Sequence, residues 1–237
     1  MADLTPHRML SFVRRGGRMS QAKQRALTEL APKYLIDCPR AEGATSVAPG
    51  LQTPPAEWFG RVAPVVVEIG SGQGQQLVYA AERNPGSDFV GVEVYTAGIA
   101  RTMLMADAQR VDNLRLVEAN APEVLTNLLP QGAVSEVWIF FPDPWHKARH
   151  NKRRLVDEGF VPVLQGALKP GGVVRLATDW QEYAEQMREV LDGADAFARD
   201  FEGEWAPRFE GRTLTAFERK GIAKGRSIYD LCYILRD

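Results

Sequence analysis

Five short runs restrict the fold of this chain more than any other feature: VVVEIG (65 to 70), FVGVEV (89 to 94), LRLVEA (114 to 119), VWIFF (137 to 141) and GVVRLATD (172 to 179). They are rich in β-branched residues, and most are too continuously apolar to leave one face in water. Strands buried on both faces belong to a parallel sheet covered by helices on either side. The segments between supply the helices: 75 to 84, 97 to 110, 122 to 129, 155 to 168 and 180 to 192 carry apolar residues at helical spacing. Asn84-Pro85-Gly86 and Lys169-Pro170-Gly171-Gly172 are breakers that close two of them. The alternation predicts a doubly wound α/β domain with a mostly parallel sheet. SIYDLCYIL (227 to 235) adds a strand, expected as an antiparallel edge. Arg40 to Gly60, rich in Pro, Gly and Ala, reads as a loop or linker, and residues 1 to 35 as a basic, partly helical extension. The expected division is therefore a basic arm and linker over 1 to 60 and the α/β domain over 61 to 237, with no internal repeat.

The formal net charge of −1 conceals a partition. Residues 4 to 28 hold six Lys and Arg (Arg8, Arg14, Arg15, Arg18, Lys23, Arg25) and residues 144 to 156 hold five (Lys147, Arg149, Lys152, Arg153, Arg154), both without an acid. With those eleven set aside, eighteen of the 29 bases face 30 acids, a balance of about −12 for the remainder. Two basic blocks on an acidic body point to a localised polyanion surface, and so to nucleic acid. No run approaches the ~18 apolar residues of a membrane span, and MADLTPHRML lacks an apolar core followed by a small-residue cleavage site, so a cytoplasmic protein is expected. Cys38 and Cys232 have no second cysteine at metal-ligand spacing, which predicts reduced thiols and neither a disulfide framework nor a metal site.

In open sheets of this kind ligands bind beyond the carboxyl ends of the strands. The first strand runs into Glu68-Ile69-Gly70-Ser71-Gly72-Gln73-Gly74, where three glycines let the backbone turn sharply and approach a ligand. A dinucleotide site would require G-x-G-x-x-G, but the third glycine comes one residue early and Gln75 follows it. The E-x-G-x-G-x-G pattern instead resembles the first motif of S-adenosylmethionine-dependent methyltransferases, whose cofactor carries an amino-acid moiety and a sulfonium, and Glu68 suits a cationic ligand. The second strand ends at Glu93, 23 residues after Gly70, where a carboxylate can accept two hydrogen bonds from a ribose diol. The third ends at Asn120, whose side-chain oxygen can accept from an adenine amino group where related enzymes place an acid.

The fourth strand delivers Pro142-Asp143-Pro144-Trp145 and then the basic tract. The prolines stiffen the loop around a lone acid, and Trp145 is expected to fill the core more than to offer a stacking surface. Lys147 and Arg149, His150, Asn151, Lys152, Arg153 and Arg154 are the expected RNA contacts, giving affinity without sequence information. VEIGSGQG, GVEV, FFPDPWHKARHNKRR, ATDW and TAFERKG, in this order, resemble the bacterial tRNA (guanine-N7-)-methyltransferase family, from FVRRGGRM near the start to the last strand. The resemblance implies a Rossmann-like class I methyltransferase fold, S-adenosyl-L-methionine as cofactor, tRNA as partner and the variable-loop guanosine as target. It marks Asp143 as catalytic residue, also near the cofactor, Lys147 and Asp179 as substrate contacts, and Thr215, Ala216, Phe217 and Glu218 as the element whose hydroxyl and carboxylate help hold the base. Asp179 is equally placed to cap the helix that follows it.

Guanine N7 exposes a lone pair and carries no proton, so methylation there needs positioning and charge stabilisation, not a strong base. The residues leave open whether Asp143 meets cofactor, base or both, and do not distinguish monomer from homodimer. Two other functions compete: a methyltransferase for an exocyclic amine, since Asp-Pro-Trp resembles N-P-P-aromatic loops, and a non-catalytic RNA-binding protein on a methyltransferase fold.

Overall fold

The apolar runs pair as strands of one seven-stranded sheet, and the helical segments between them cover both its faces. A computed structural model describes residues 19–50 and 52–237. His7, Arg8, Arg14, Arg15 and Arg18 of the basic arm lie outside the described residues. In chain order the elements are α1 (Gln21–Glu29), α2 (Ala31–Tyr34), α3 (Pro55–Phe59), β1 (Val65–Ile69), α4 (Gln75–Arg83), β2 (Asp88–Glu93), α5 (Thr96–Ala108), β3 (Leu114–Glu118), α6 (Ala121–Glu123), β4 (Val134–Phe140), α7 (Val161–Ala167), β5 (Leu168–Thr178), α8 (Gln181–Asp192), β6 (Phe197–Arg199), α9 (Ala216–Ala223) and β7 (Tyr229–Leu235).

The strand order is β3-β2-β1-β4-β5-β7-β6. The first five strands are parallel, and β7 runs antiparallel to both neighbours. β7 is therefore not the edge strand expected; the three-residue β6 covers it. Alternate residues of the central strands feed two cores: Val65, Val67 and Ile69 face one layer with Val137 and Ile139, while Val66 faces the other with Trp138 and Phe140. Each such fully buried aliphatic side chain contributes about 1.5–3 kcal/mol of transfer free energy.

Four local expectations are corrected. The helix expected over 122 to 129 is one α turn followed by a π turn over Val124–Leu128, and the one over 155 to 168 is confined to α7 after a 3₁₀ turn. Lys169 to Gly172 do not break the chain between elements, because β5 begins at Leu168, pairs there with Val134, and absorbs the glycines as an irregularity in the ladder. Arg40 to Gly60 is no bare linker: it contains α3, opened by Pro55, and buries Val47 in the core. Just before it, Leu35 bridges Leu116, and Ile36 N–H donates to the Leu116 carbonyl at 2.8 Å, so the chain at Leu35 and Ile36 lies along β3 and covers its free edge.

Candidate active site

Sheet order reverses between β1 and β4, and the carboxyl ends of β1, β2 and β4 lie level, with Ile69 opposite both Val92 and Ile139. A crevice at such a switch point is where ligands enter this architecture. Gly70, Gly72 and Gly74 have φ of +70°, +58° and +75°, a left-handed path that only glycine follows without strain. Gly98 of α5 packs so closely on the Gly72 carbonyl that any side chain there would overlap it.

The acids of the crevice are held in two ways. Glu93, half-buried, accepts from the backbone N–H groups of Gly72 (2.7 Å), Val94 (2.7 Å) and Tyr95 (3.0 Å), which lock its carboxylate beside the glycine loop. Burial raises its pKa, those amides oppose the rise, and the charge of Asp143 adds a little to it. Glu68 lies under the loop, 4% exposed, and its Oε2 and the nearby Ser71 hydroxyl are buried without a hydrogen-bond partner. Burial, reinforced by Glu93, pushes Glu68 up to about 8, which leaves it neutral at neutral pH. Orphaned oxygens beneath the loop and a fixed carboxylate beside it fit a cationic, diol-bearing cofactor and do not fit a phosphate. Asn120 lies two residues past the end of β3, at the N-cap of α6, buried, with Nδ2 donating to Glu123 Oε1 at 3.3 Å.

Across the switch point, Phe141 N–H donates to the Ala177 carbonyl at 2.7 Å, and the chain then leaves the sheet. Phe141 (φ +55°) and Trp145 (φ +45°) are both left-handed without being glycine. Each such residue costs on the order of 1–3 kcal/mol and persists only where its surroundings enforce it. Asp143 stands exposed between them. The enforcing group is Arg154, whose Nε donates to the Pro144 carbonyl (2.8 Å) and Nη1 to Gln186 Oε1 (2.7 Å), with its guanidinium 5.0 Å from the Tyr183 ring centre. Arg154 is 2% exposed and cannot serve as the phosphate contact expected of it.

The remaining tract, coiled as a 3₁₀ segment over Ala148–Arg153, leaves Lys147, Arg149, Lys152 and Arg153 exposed. Asn151 is half-buried and its carbonyl accepts from Arg154 N–H at 2.9 Å. Trp145, expected in the core, is instead half-exposed, edge-on to His150 at 6.0 Å and under the Arg153 guanidinium at 5.1 Å.

Asp179 directly follows β5 and accepts from Arg226 Nη1 at 2.8 Å. It does not cap α8: the capping position is Trp180, whose N–H donates to Thr178 Oγ1 at 3.2 Å. A cleft of about 570 Å³ opens beside it, lined by Trp180, Glu182, Glu185, Arg226 and Tyr229. Thr215 caps α9, accepting from Glu218 N–H at 3.2 Å, and Ala216 N–H donates to Gln75 Oε1 at 3.1 Å, directly after the glycine loop. Ala216 and Phe217 face outward. Glu218, expected to hold a base, faces inward at 1% exposure, because its carboxylate accepts from Arg208 (2.8 and 3.1 Å) and Arg212 (3.3 and 3.1 Å). Burial opposes its ionisation, yet the two arginines outweigh that and hold its pKa below the ordinary value.

The family model described as "putative methyltransferase" matches residues 62–231. A tRNA (guanine-N(7)-)-methyltransferase of Arthrobacter sp. (strain FB24) is 43% identical over 95% of this chain and 86% of its own, and one of Methylococcus capsulatus (strain ATCC 33009 / NCIMB 11132 / Bath) is 40% identical over 96% and 94%. This chain belongs to the tRNA (guanine-N7-)-methyltransferase family. Solved structures carry the class I methyltransferase fold in common with it: a 16S rRNA methyltransferase, KamB, superposes with a TM-score of 0.55 at 15% identity over 76% of this chain and 91% of its own. An rRNA methylase from Streptococcus thermophilus gives 0.51 at 11% identity over 74% and 88%.

Several residues that shape this methyltransferase site were not singled out in the sequence. Arg212, its side chain fully buried, joins Glu218 to Asp230 of β7 and lies 5.4 and 5.7 Å from the Phe140 and Phe141 rings. Gln76 of α4 holds the same segment through the Gly211 carbonyl (3.0 Å) and Thr213 N–H (2.7 Å). Their signal is weak in sequence, since the partners lie far along the chain. Among the described residues no group of three His, Cys, Asp or Glu is arranged to hold a metal, and no helix is long and apolar enough to cross a membrane.

Proposed function

We propose that this chain is the tRNA (guanine-N7-)-methyltransferase that its family membership indicates, using S-adenosyl-L-methionine and acting in the cytoplasm on the variable-loop guanosine. The observation that carries the mechanism is Asp143, set between two left-handed residues at the switch point, near enough for its charge to be felt at Glu93, and followed by exposed bases. Gly70, Gly72, Gly74, Glu68, Glu93 and Asn120 would hold the cofactor, which supplies a methyl group on a cationic sulfur. Lys147, Arg149, Lys152 and Arg153 meet tRNA phosphates. Asp143 and Asp179 orient the guanine. N7 attacks with its own lone pair, so Asp143 takes up no proton; its carboxylate stabilises the positive charge that the purine acquires.

The test is incubation of the protein with methyl-labelled cofactor and unmodified tRNA, followed by mapping of the modified nucleoside. Label in 7-methylguanosine is expected, and label on an exocyclic amine, or none, overturns the proposal. Asp143→Asn keeps the shape and removes the charge. It should slow transfer on the order of 10²-fold while tRNA affinity is largely kept.

A further inference from the structure

Of the large apolar side chains that the described residues leave exposed, three fall within nine positions: Leu214 (45%), Phe217 (66%) and Ile222 (51%). Exposed Arg219, Lys220 and Lys224 interleave with them. Glu218, the sole acid of residues 211 to 226, is buried. This exposure does not come from a loose end. The underside of α9 is fixed by the Arg208–Glu218–Arg212–Asp230 network, its first residue is bonded to Gln75, and Gly221 packs on Asp179 so tightly that a side-chain carbon there would lie 3.0 Å from Oδ2. α9 thus spans from the glycine loop to the end of β5, along the mouth of the crevice.

We infer that the outward face of α9 is a second tRNA-contacting surface, separate in sequence from the tract after β4, on which Lys220, Lys224 and Arg219 meet phosphates and Phe217 stacks an unpaired base beside the target guanosine. This rests on the proposed function and deepens it. Phe217 belongs to the base-holding element by resemblance, but the three cations do not. Aromatic side chains interleaved with bases form the pattern that holds single-stranded nucleic acid, since every base has a face to stack and every nucleotide a charge to meet. A second copy of the chain is the poorer occupant. A two-fold contact sets a patch against itself, which would bring these cations onto their own images.

The experiment is a salt series of tRNA binding by fluorescence anisotropy, using unmodified tRNA, with cofactor affinity from calorimetry as the check on folding. Lys220→Ala with Lys224→Ala should weaken binding several-fold and lower the slope of log K against log salt by about 1–2. Phe217→Ala should weaken it roughly ten- to a hundredfold with the slope unchanged. Unchanged affinity and slope in both variants, with cofactor binding intact and with Lys152→Ala plus Arg153→Ala lowering the slope, would sink the second surface and leave the function standing. Loss of self-association on Phe217→Ala in sedimentation, at constant tRNA affinity, would overturn it in favour of a dimer face. Failure of the unaltered protein to bind tRNA at all would remove the proposed function as well.

Discussion

The basic tract after β4 and the basic stretch from Arg208 to Lys224 around α9 are built alike, each turning one arginine inward and leaving most of its other cations exposed. The company of the two buried arginines differs. Arg212 meets two carboxylates, Glu218 and Asp230, and its charge is neutralised where it stands. Arg154 meets only neutral groups, the Pro144 carbonyl, the Gln186 amide and the Tyr183 ring, and its Nη2 is buried without a partner. The first arrangement is a closed ion network that fixes a helix. The second is a cation held by dipoles, whose field still reaches the exposed tract around it and adds to its pull on a polyanion.

That contrast can be broken in order of effect. Arg212→Met strands the buried carboxylate of Asp230 and leaves Glu218 with Arg208 alone, and unfolding in denaturant should show a loss of about 3–5 kcal/mol. The loss should shrink in acid. Glu218 has a folded pKa below its ordinary 4.5, so the stability it contributes is present above that value and disappears as pH falls through the lowered one. Arg154→Met leaves only neutral acceptors behind, and should cost about 1–3 kcal/mol with no such acid dependence. If the Arg154 penalty matched the Arg212 penalty, or faded in acid alongside it, the distinction between the two anchors would be void. Lys152→Ala with Arg153→Ala should change stability by less than ~0.5 kcal/mol. Its effect should be seen in the salt dependence of tRNA binding, with a slope lower by about 1–2.

The sheet was legible because strands covered on both faces need unbroken apolar runs, and the cofactor loop because its left-handed turns need glycine. Asp143 was legible as an acid at a strand's end. Arg153 and Arg154 were not separable, being identical neighbours. Which one is buried is decided by Tyr183 and Gln186 on α8, about thirty residues further on. β6 left no pattern either, since three residues are too few to show a period and its pairing to β7 alone makes it a strand. The inward turn of Glu218 depends on Arg208, Arg212 and Asp230 meeting in space, and spacing along the chain does not announce it.

Gly98 gives the glycine loop a dependence of its own. The carbonyl of Gly72 rests against the bare α-carbon of a helix that begins only after α4 and β2, so the depth to which the loop sinks is decided there. The motif Gly70 to Gly74 is then only half of a lock. Grafted into another sheet without a glycine at the facing helical position, the same five residues would ride too high to bring Glu93 within reach of the Gly72 N–H, and the graft would keep the spelling of the site while losing its fit.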